Sequence, residues 1–320
     1  MSELKNTFRV IDSLESNIIP YIELPRNDRQ AAIGSVVNGS HLLVFGGPGV
    51  GKTTLATALA RSMDGKESRI QGNAWNTSAD VIGHRIYNPE NKEFNIIPGP
   101  IFSNVVLADE FNRNSGQAQS AFLEAMQEGQ VTFPGGETYK LPTIFNVIAT
   151  QNMEDNTEGI MSVSSAMLDR FGSSIDLSRI YLEDEMPKIF NIANLWEDTG
   201  GPSQVVDMDE IMLAKQGIRS IIRNADTDLA RHAQSIVYEI SKHEDVDINS
   251  SNLGGARSAL MMLKLGAVLC AFSQRSTMQE EDINNSARSV LGHRTVLKYS
   301  AIKKDVKPID VVGSIVQKLA

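Results

Sequence analysis

Apolar residues recur along this chain in two rhythms, and the change between them divides it. In the first half, short β-branched runs alternate with stretches whose apolar positions return at helical spacing. Residues 41–45, 68–71, 104–108, 143–149 and 173–177 read as strands. Four of these read as short apolar runs, the pattern of strands buried on both faces. Strands alternating with helical segments predict an α/β fold, a parallel five-stranded sheet sandwiched by helices. Two further segments read as hairpins. Residues 131–141 alternate around a Pro-Gly-Gly turn, and 86–97 flank Asn88-Pro-Glu-Asn91 more weakly.

From about residue 181 the strand signals stop and the remainder reads as helix, with the boundary near 178–185. Asp207-Met-Asp-Glu210 and Thr277-Met-Gln-Glu280 fit the capping box, in which the first side chain and the acid three residues on satisfy each other's free amides. Behind them Ile211, Ala214, Ile218 and Ile222 share one helical face, as do Ile283, Ala287 and Leu291. Leu229, Ala233, Ile236, Val237 and Ile240 form another stripe, and Ile309, Val312, Val316 and Leu319 a short amphipathic end. Each is most simply core.

Composition narrows the picture by exclusion. A chain of 320 residues with 41 % hydrophobic and 22 % charged residues is globular, with a length that suits about two domains. Its net charge of −9 argues against a protein that coats nucleic acid or anionic membrane. The basic patch Lys303-Lys-Asp-Val-Lys307 is short and reads as a solvated approach to a helix. The single cysteine, Cys270, excludes an internal disulfide and a cysteine-rich zinc site, and its apolar surroundings predict a buried thiol. His41, His84, His232, His243 and His293 show no metal-ligand spacing. The start Met1-Ser-Glu-Leu-Lys5 shows no secretory leader pattern, and the longest apolar stretch, interrupted by Lys264, is too short for a bilayer. The expected setting is the cytoplasm, without membrane insertion.

Candidate chemistry begins after the first strand. Gly46-Gly47-Pro48-Gly49-Val50-Gly51-Lys52-Thr53 matches G-x-x-x-x-G-K-[ST], between the strand at 41–45 and a helix expected over 53–63. Its glycines let successive N–H groups turn inward on a phosphate, and the helix that follows adds its positive end. Together with Thr54, this loop is the expected ATP site. Lys52 can reach the β- and γ-phosphates, and the Thr53 hydroxyl can ligate Mg²⁺. The strand at 104–108 then delivers Asp109 and Glu110 at its carboxyl end, where open α/β sheets bind ligands. Asp109 suits Mg²⁺, and Glu110 suits polarisation of an attacking water. Lys52 and Glu110 are thus the first catalytic candidates.

Around these motifs the chain resembles the MoxR family of AAA+ ATPases, from about residue 38 to the C-terminus. The resemblance rests on Asn38–Val44, on Asn95-Ile-Ile-Pro-Gly-Pro-Ile-Phe-Ser-Asn-Val-Val-Leu-Ala-Asp-Glu-Phe-Asn-Arg113, on Gln119–Glu128, on Val147–Asn152 and on Met167-Leu-Asp-Arg-Phe171. Gly254-Gly-Ala-Arg-Ser-Ala259 and Val290-Leu-Gly-His-Arg294 extend it into the helical part. The chain departs from the family pattern at Asn114-Ser-Gly116, where prolines are usual, and at Met153, so it is identified as a divergent member.

The resemblance implies a homo-oligomeric ring, usually a hexamer, with ATP bound between subunits. It implies that Asn152 positions the attacking water, that Arg170 is an arginine finger for the neighbouring subunit, and that Arg257 contacts phosphate within its own subunit. It implies residues 1–40 as a helical lead-in, 41–180 as the AAA+ core and 181–320 as a helical lid. In function it implies an ATPase that remodels or assembles client proteins, among them proteins with a von Willebrand factor A domain, and that can serve metal-cofactor maturation. The same core also serves nucleic-acid motors and loaders, against which the net acidity counts. A switch that binds ATP and scarcely turns it over is a third reading, against which the intact Glu110 counts.

Overall fold

The computed structural model describes residues 2–47, 49–90, 92–152, 163–177, 186–253 and 256–319. The strands are β1 (His41–Phe45), β2 (Glu67–Gln71), β3 (Gly83–Asn88), β4 (Glu93–Pro98), β5 (Val105–Asp109), β6 (Gln130–Thr132), β7 (Thr138–Lys140), β8 (Asn146–Gln151) and β9 (Phe171–Asp176). Five of them form one parallel sheet in the order β2-β5-β8-β1-β9. The other four make the two antiparallel hairpins, β3 with β4 and β6 with β7.

Alternate residues of β1 bury on opposite faces, which explains its apolar run. Leu42 and Val44 of β1 pack with Leu55 and Leu59 of the helix Lys52–Arg61, while Leu43 packs into a second cluster with Phe111, Phe122 and Phe171. Both faces of the sheet are covered. Strand ends differ from expectation by a few residues because partners set them. Phe171 is drawn into β9 by pairing with His41, and β8 begins at Asn146, whose N–H donates to the Asn104 carbonyl at 2.8 Å.

Beyond β9 the described residues form helices and two isolated strand contacts involving Val206 and Val246. The helices Ser2–Ile18 and Arg26–Asn38 pack against Met208–Arg223 and Arg257–Phe272, so the lead-in and the later helices share one core. The capping box at Asp207 and Glu210 forms as its sequence predicts. At the second expected box the helix Glu280–Leu291 starts later, capped by Gln279 and Asp282. There Arg275 grips Asp282 at 2.6 and 3.0 Å, which fixes that acid as the helix's third residue. Cys270 is buried, and burial pushes its thiol up to about 11. Among the described residues no helix is long and apolar enough to cross a membrane.

Candidate active site

The carboxyl ends of β1, β5 and β8 lie side by side, and the residues that follow them meet there. After β1 the loop turns through Gly49 (φ 78°) and Gly51 (φ 88°), backbone angles that a side chain disfavours. A Cβ at Gly47, Gly49 or Gly51 would project into open space, so the loop presents bare backbone to a cradle. Gly51 caps the helix Lys52–Arg61 in left-handed conformation, which brings Lys52, Thr53 and Thr54 onto its first turn. Val50 lies half-buried in the same turn, and Pro48 lies outside the described residues. The Lys52 ammonium donates to the carbonyls of Gly46 (2.7 Å) and Gly47 (2.6 Å). Burial lowers its pKa, and Asp109 and Glu110 act in the opposite sense.

β5 ends on Asp109, 7 % exposed. One carboxylate oxygen accepts the Thr150 hydroxyl at 2.6 Å and the other faces Arg69 Nη2 at 2.5 Å. Glu110 follows in the left-handed region (φ 50°, ψ 48°), an arrangement that costs about 1–3 kcal/mol in a residue with a side chain and is concentrated at functional sites. Its N–H donates to Thr150 Oγ1 at 2.9 Å, and its carboxylate accepts Gln71 Nε2 at 2.9 Å, with Arg113 at 3.7 Å. Gly72 makes this corner feasible, since a Cβ there would lie 2.0 Å from the Glu110 carbonyl oxygen. Asn152 follows β8 directly, beside a buried Gln151 Oε1 that has no hydrogen-bond partner.

The two arginines lie elsewhere. Arg170 sits in the turn before β9, and β9 begins opposite His41, at the amino end of β1. The phosphate loop leaves the other end of β1, about 13 Å away along the strand. Arg257 opens the helix Arg257–Phe272 and ion-pairs with Asp169, the residue before Arg170. Arg257, expected to touch phosphate bound by its own subunit, is paired here with Asp169 at the amino end of β9, whereas the phosphate loop follows the carboxyl end of the neighbouring β1. The same carboxylate pairs with Arg294, which is wholly buried and also donates to the carbonyls of Asp169 (3.1 Å) and Phe171 (2.9 Å).

Five of these residues escaped the sequence reading: Arg69, Gln71, Thr150, Asp169 and Arg294. Arg69 and Gln71 alternate on the exposed face of β2, and Thr150 is polar within an apolar strand, so both features were visible as patterns. Nothing local marks Asp169 or Arg294.

These residues fit a nucleotide and a metal ion: a bare-backbone cradle, a lysine turned into it, and oxygen donors in the Thr53 hydroxyl and the Asp109 carboxylate. Comparison with known proteins agrees in type. The profile of the ATPase family associated with various cellular activities (AAA) matches residues 41–172, and that of the AAA lid domain matches residues 249–313. The Chaperone MoxR1 of Mycobacterium tuberculosis (strain ATCC 25618 / H37Rv) is 31 % identical over 291 residues, 89 % of this chain and 75 % of that protein. The uncharacterized protein YeaC of Bacillus subtilis (strain 168) is 32 % identical over 289 residues, 89 % of this chain and 86 % of that one. A solved protein from Cytophaga hutchinsonii superposes with a TM-score of 0.83 at 27 % identity, covering 99 % of this chain and 96 % of that one.

Proposed function

The chain belongs to the MoxR family of AAA+ ATPases, and on that footing we propose that it hydrolyses ATP at the junction between adjacent subunits to remodel or assemble client protein complexes. The observation that carries this reading is the division of the site. Loop, lysine and both acids stand at the carboxyl ends of the sheet strands, and Arg170 stands at the amino end of β9. One chain alone then holds an incomplete set, and a second copy presenting its Arg170 to the loop would complete it.

In this reading the loop amides and the helix start bind the β- and γ-phosphates. Lys52 leaves the Gly46 and Gly47 carbonyls to bridge them. Thr53 and Asp109 would hold Mg²⁺, which when bound neutralises charge on the phosphates. Glu110 polarises the attacking water and Asn152 orients it. Arg170 of the adjacent subunit stabilises the charge that spreads over the transferring group, a contribution worth about 10³–10⁵ in rate. Arg257, ion-paired with the residue before Arg170, lies on the same side of the sheet as that arginine. Hydrolysis then shifts the helical lid, residues 181–320, against the core at 41–180. The expected partner class is a protein with a von Willebrand factor A domain, and metal-cofactor maturation is one setting for such work.

Nucleotide binding and turnover in two variants test the assignment. Lys52→Ala should lose ATP binding, whereas Glu110→Gln should keep it while hydrolysis falls by at least about a hundredfold. Equal loss of binding in both would show that Glu110 serves the fold or the nucleotide rather than the water. Capture on the ATP-loaded Glu110→Gln protein should then enrich proteins with a von Willebrand factor A domain relative to Lys52→Ala. Nucleic-acid-processing proteins lost on nuclease treatment would replace the client reading with a motor or loader.

A further inference from the structure

β2 is an edge strand, and residues 67, 69 and 71 share its exposed face. From that face two side chains cross to the end of β5. Arg69 Nη2 lies 2.5 Å from one oxygen of Asp109 and donates to Gln71 Oε1 at 2.7 Å. Gln71 in turn donates from Nε2 to Glu110 at 2.9 Å. The other Asp109 oxygen accepts Thr150 at 2.6 Å. Both oxygens of the carboxylate placed to hold a metal ion are therefore engaged, and the positive charge upon it is a guanidinium.

We propose that Arg69 is a positioning residue for the ATP reaction: it is the counter-cation of Asp109 in the nucleotide-free protein and must release that carboxylate before a metal ion can be held there. The inference rests on the nucleotide-site reading above. A carboxylate as buried as Asp109 is costly without a compensating charge or hydrogen bonds. Lys52 cannot supply the charge directly while its ammonium is turned onto the carbonyls of Gly46 and Gly47. Arg69 does, and it does so weakly, because its side chain is 55 % exposed and a half-solvated ion pair is easily broken. That is the strength a departing counter-ion needs.

The surroundings give it somewhere to go. Thr53, Thr57, Glu67 and Arg69 line an open groove of about 390 Å³ between β2 and the helix Lys52–Arg61. Glu67, two residues back on the same face, offers a second carboxylate. Because Arg69 also holds Gln71, its departure removes one restraint from the amide that grips Glu110.

The test is ADP binding titrated with Mg²⁺, which needs no turnover. In Arg69→Gln the Mg²⁺ concentration for half-maximal enhancement of ADP binding should fall about three- to fivefold, with ADP affinity in EDTA unchanged. Arg69→Lys, which keeps the charge, should stay within about twofold of the wild-type requirement. An unchanged or higher Mg²⁺ requirement in Arg69→Gln overturns the proposal, and so does an equal shift in EDTA, which would mark a merely structural role. A wild-type protein that binds no ADP with or without Mg²⁺ would instead remove the nucleotide-site reading itself.

Discussion

Asp169 carries two arginines on one carboxylate, and neither partnership is written in the local sequence. Arg294 has no exposure, so its charge depends wholly on that carboxylate and on two carbonyls. Burial lowers its pKa, and Asp169 acts to restore it. Asp169→Asn should therefore destabilise the fold by about 3–5 kcal/mol in urea unfolding, because it leaves a buried guanidinium uncompensated. Adding Arg294→Met should recover part of the loss. A change below about 0.5 kcal/mol in the single variant would show that the carbonyls suffice. Lys52, Asp109 and Glu110 could be picked out from sequence because their chemistry demands short-range spacing around a strand end. Asp169 and Arg294 could not, because 125 residues separate them and only packing brings them together.

Elements were legible where one rule dominates. Short apolar runs yielded four of the five sheet strands, and the Pro-Gly-Gly turn yielded the β6–β7 hairpin. Their ends were less legible, since pairing with β1 or β5 decides where a strand starts. Two histidines join elements in a way that composition hides. His41 in β1 accepts the Val147 N–H at 3.0 Å, and His293 contacts Ser174 Oγ at 3.0 Å and the Phe171 carbonyl at 3.2 Å. Burial holds both neutral, lowering them from 6.5 to about 4 for His41 and about 3 for His293. A folded pKa below the unfolded one means that the unfolded chain takes up protons first as pH falls. Stability from these groups is complete above pH 6.5 and declines toward pH 3–4. Between pH 7 and 5 each should cost about 2 kcal/mol, visible as a falling urea midpoint. Replacing His293 by Asn should flatten that slope, and an unchanged slope would locate the protons elsewhere.

At the scale of the molecule, the placement of the arginines matters more than their identity. The phosphate loop and Arg170 lie at opposite ends of neighbouring strands, about 13 Å apart along β1, and on the proposed reading Arg170 serves an adjacent copy. Heterologous contact of this kind closes into rings when the rotation permits. Arg170→Ala subunits mixed with Glu110→Gln subunits should regain turnover that neither has alone. At equal mixing about one interface in four pairs an intact finger with an intact base, and the rate should approach that fraction of wild type. No recovery at any ratio, in preparations shown to mix, would place Arg170 outside the reaction. The lead-in helices share a core with the later helices, so a shift of the lid carries the N-terminal region with it.

The sequence by itself determined the class of fold and the family, and it singled out the proposed phosphate, metal and base residues, because each depends on residues close together in the chain. Strand periodicity, glycine conformations and a carboxylate at a strand end are local demands. Tertiary structure alone decided that Arg170 and Arg257 gather at the amino end of β9, away from the loop that follows β1, and that Arg69 sits on Asp109. Those facts follow from strand order and from the pairing of buried charge with whatever carboxylate the packing leaves within reach, and neither is encoded at any spacing along the chain.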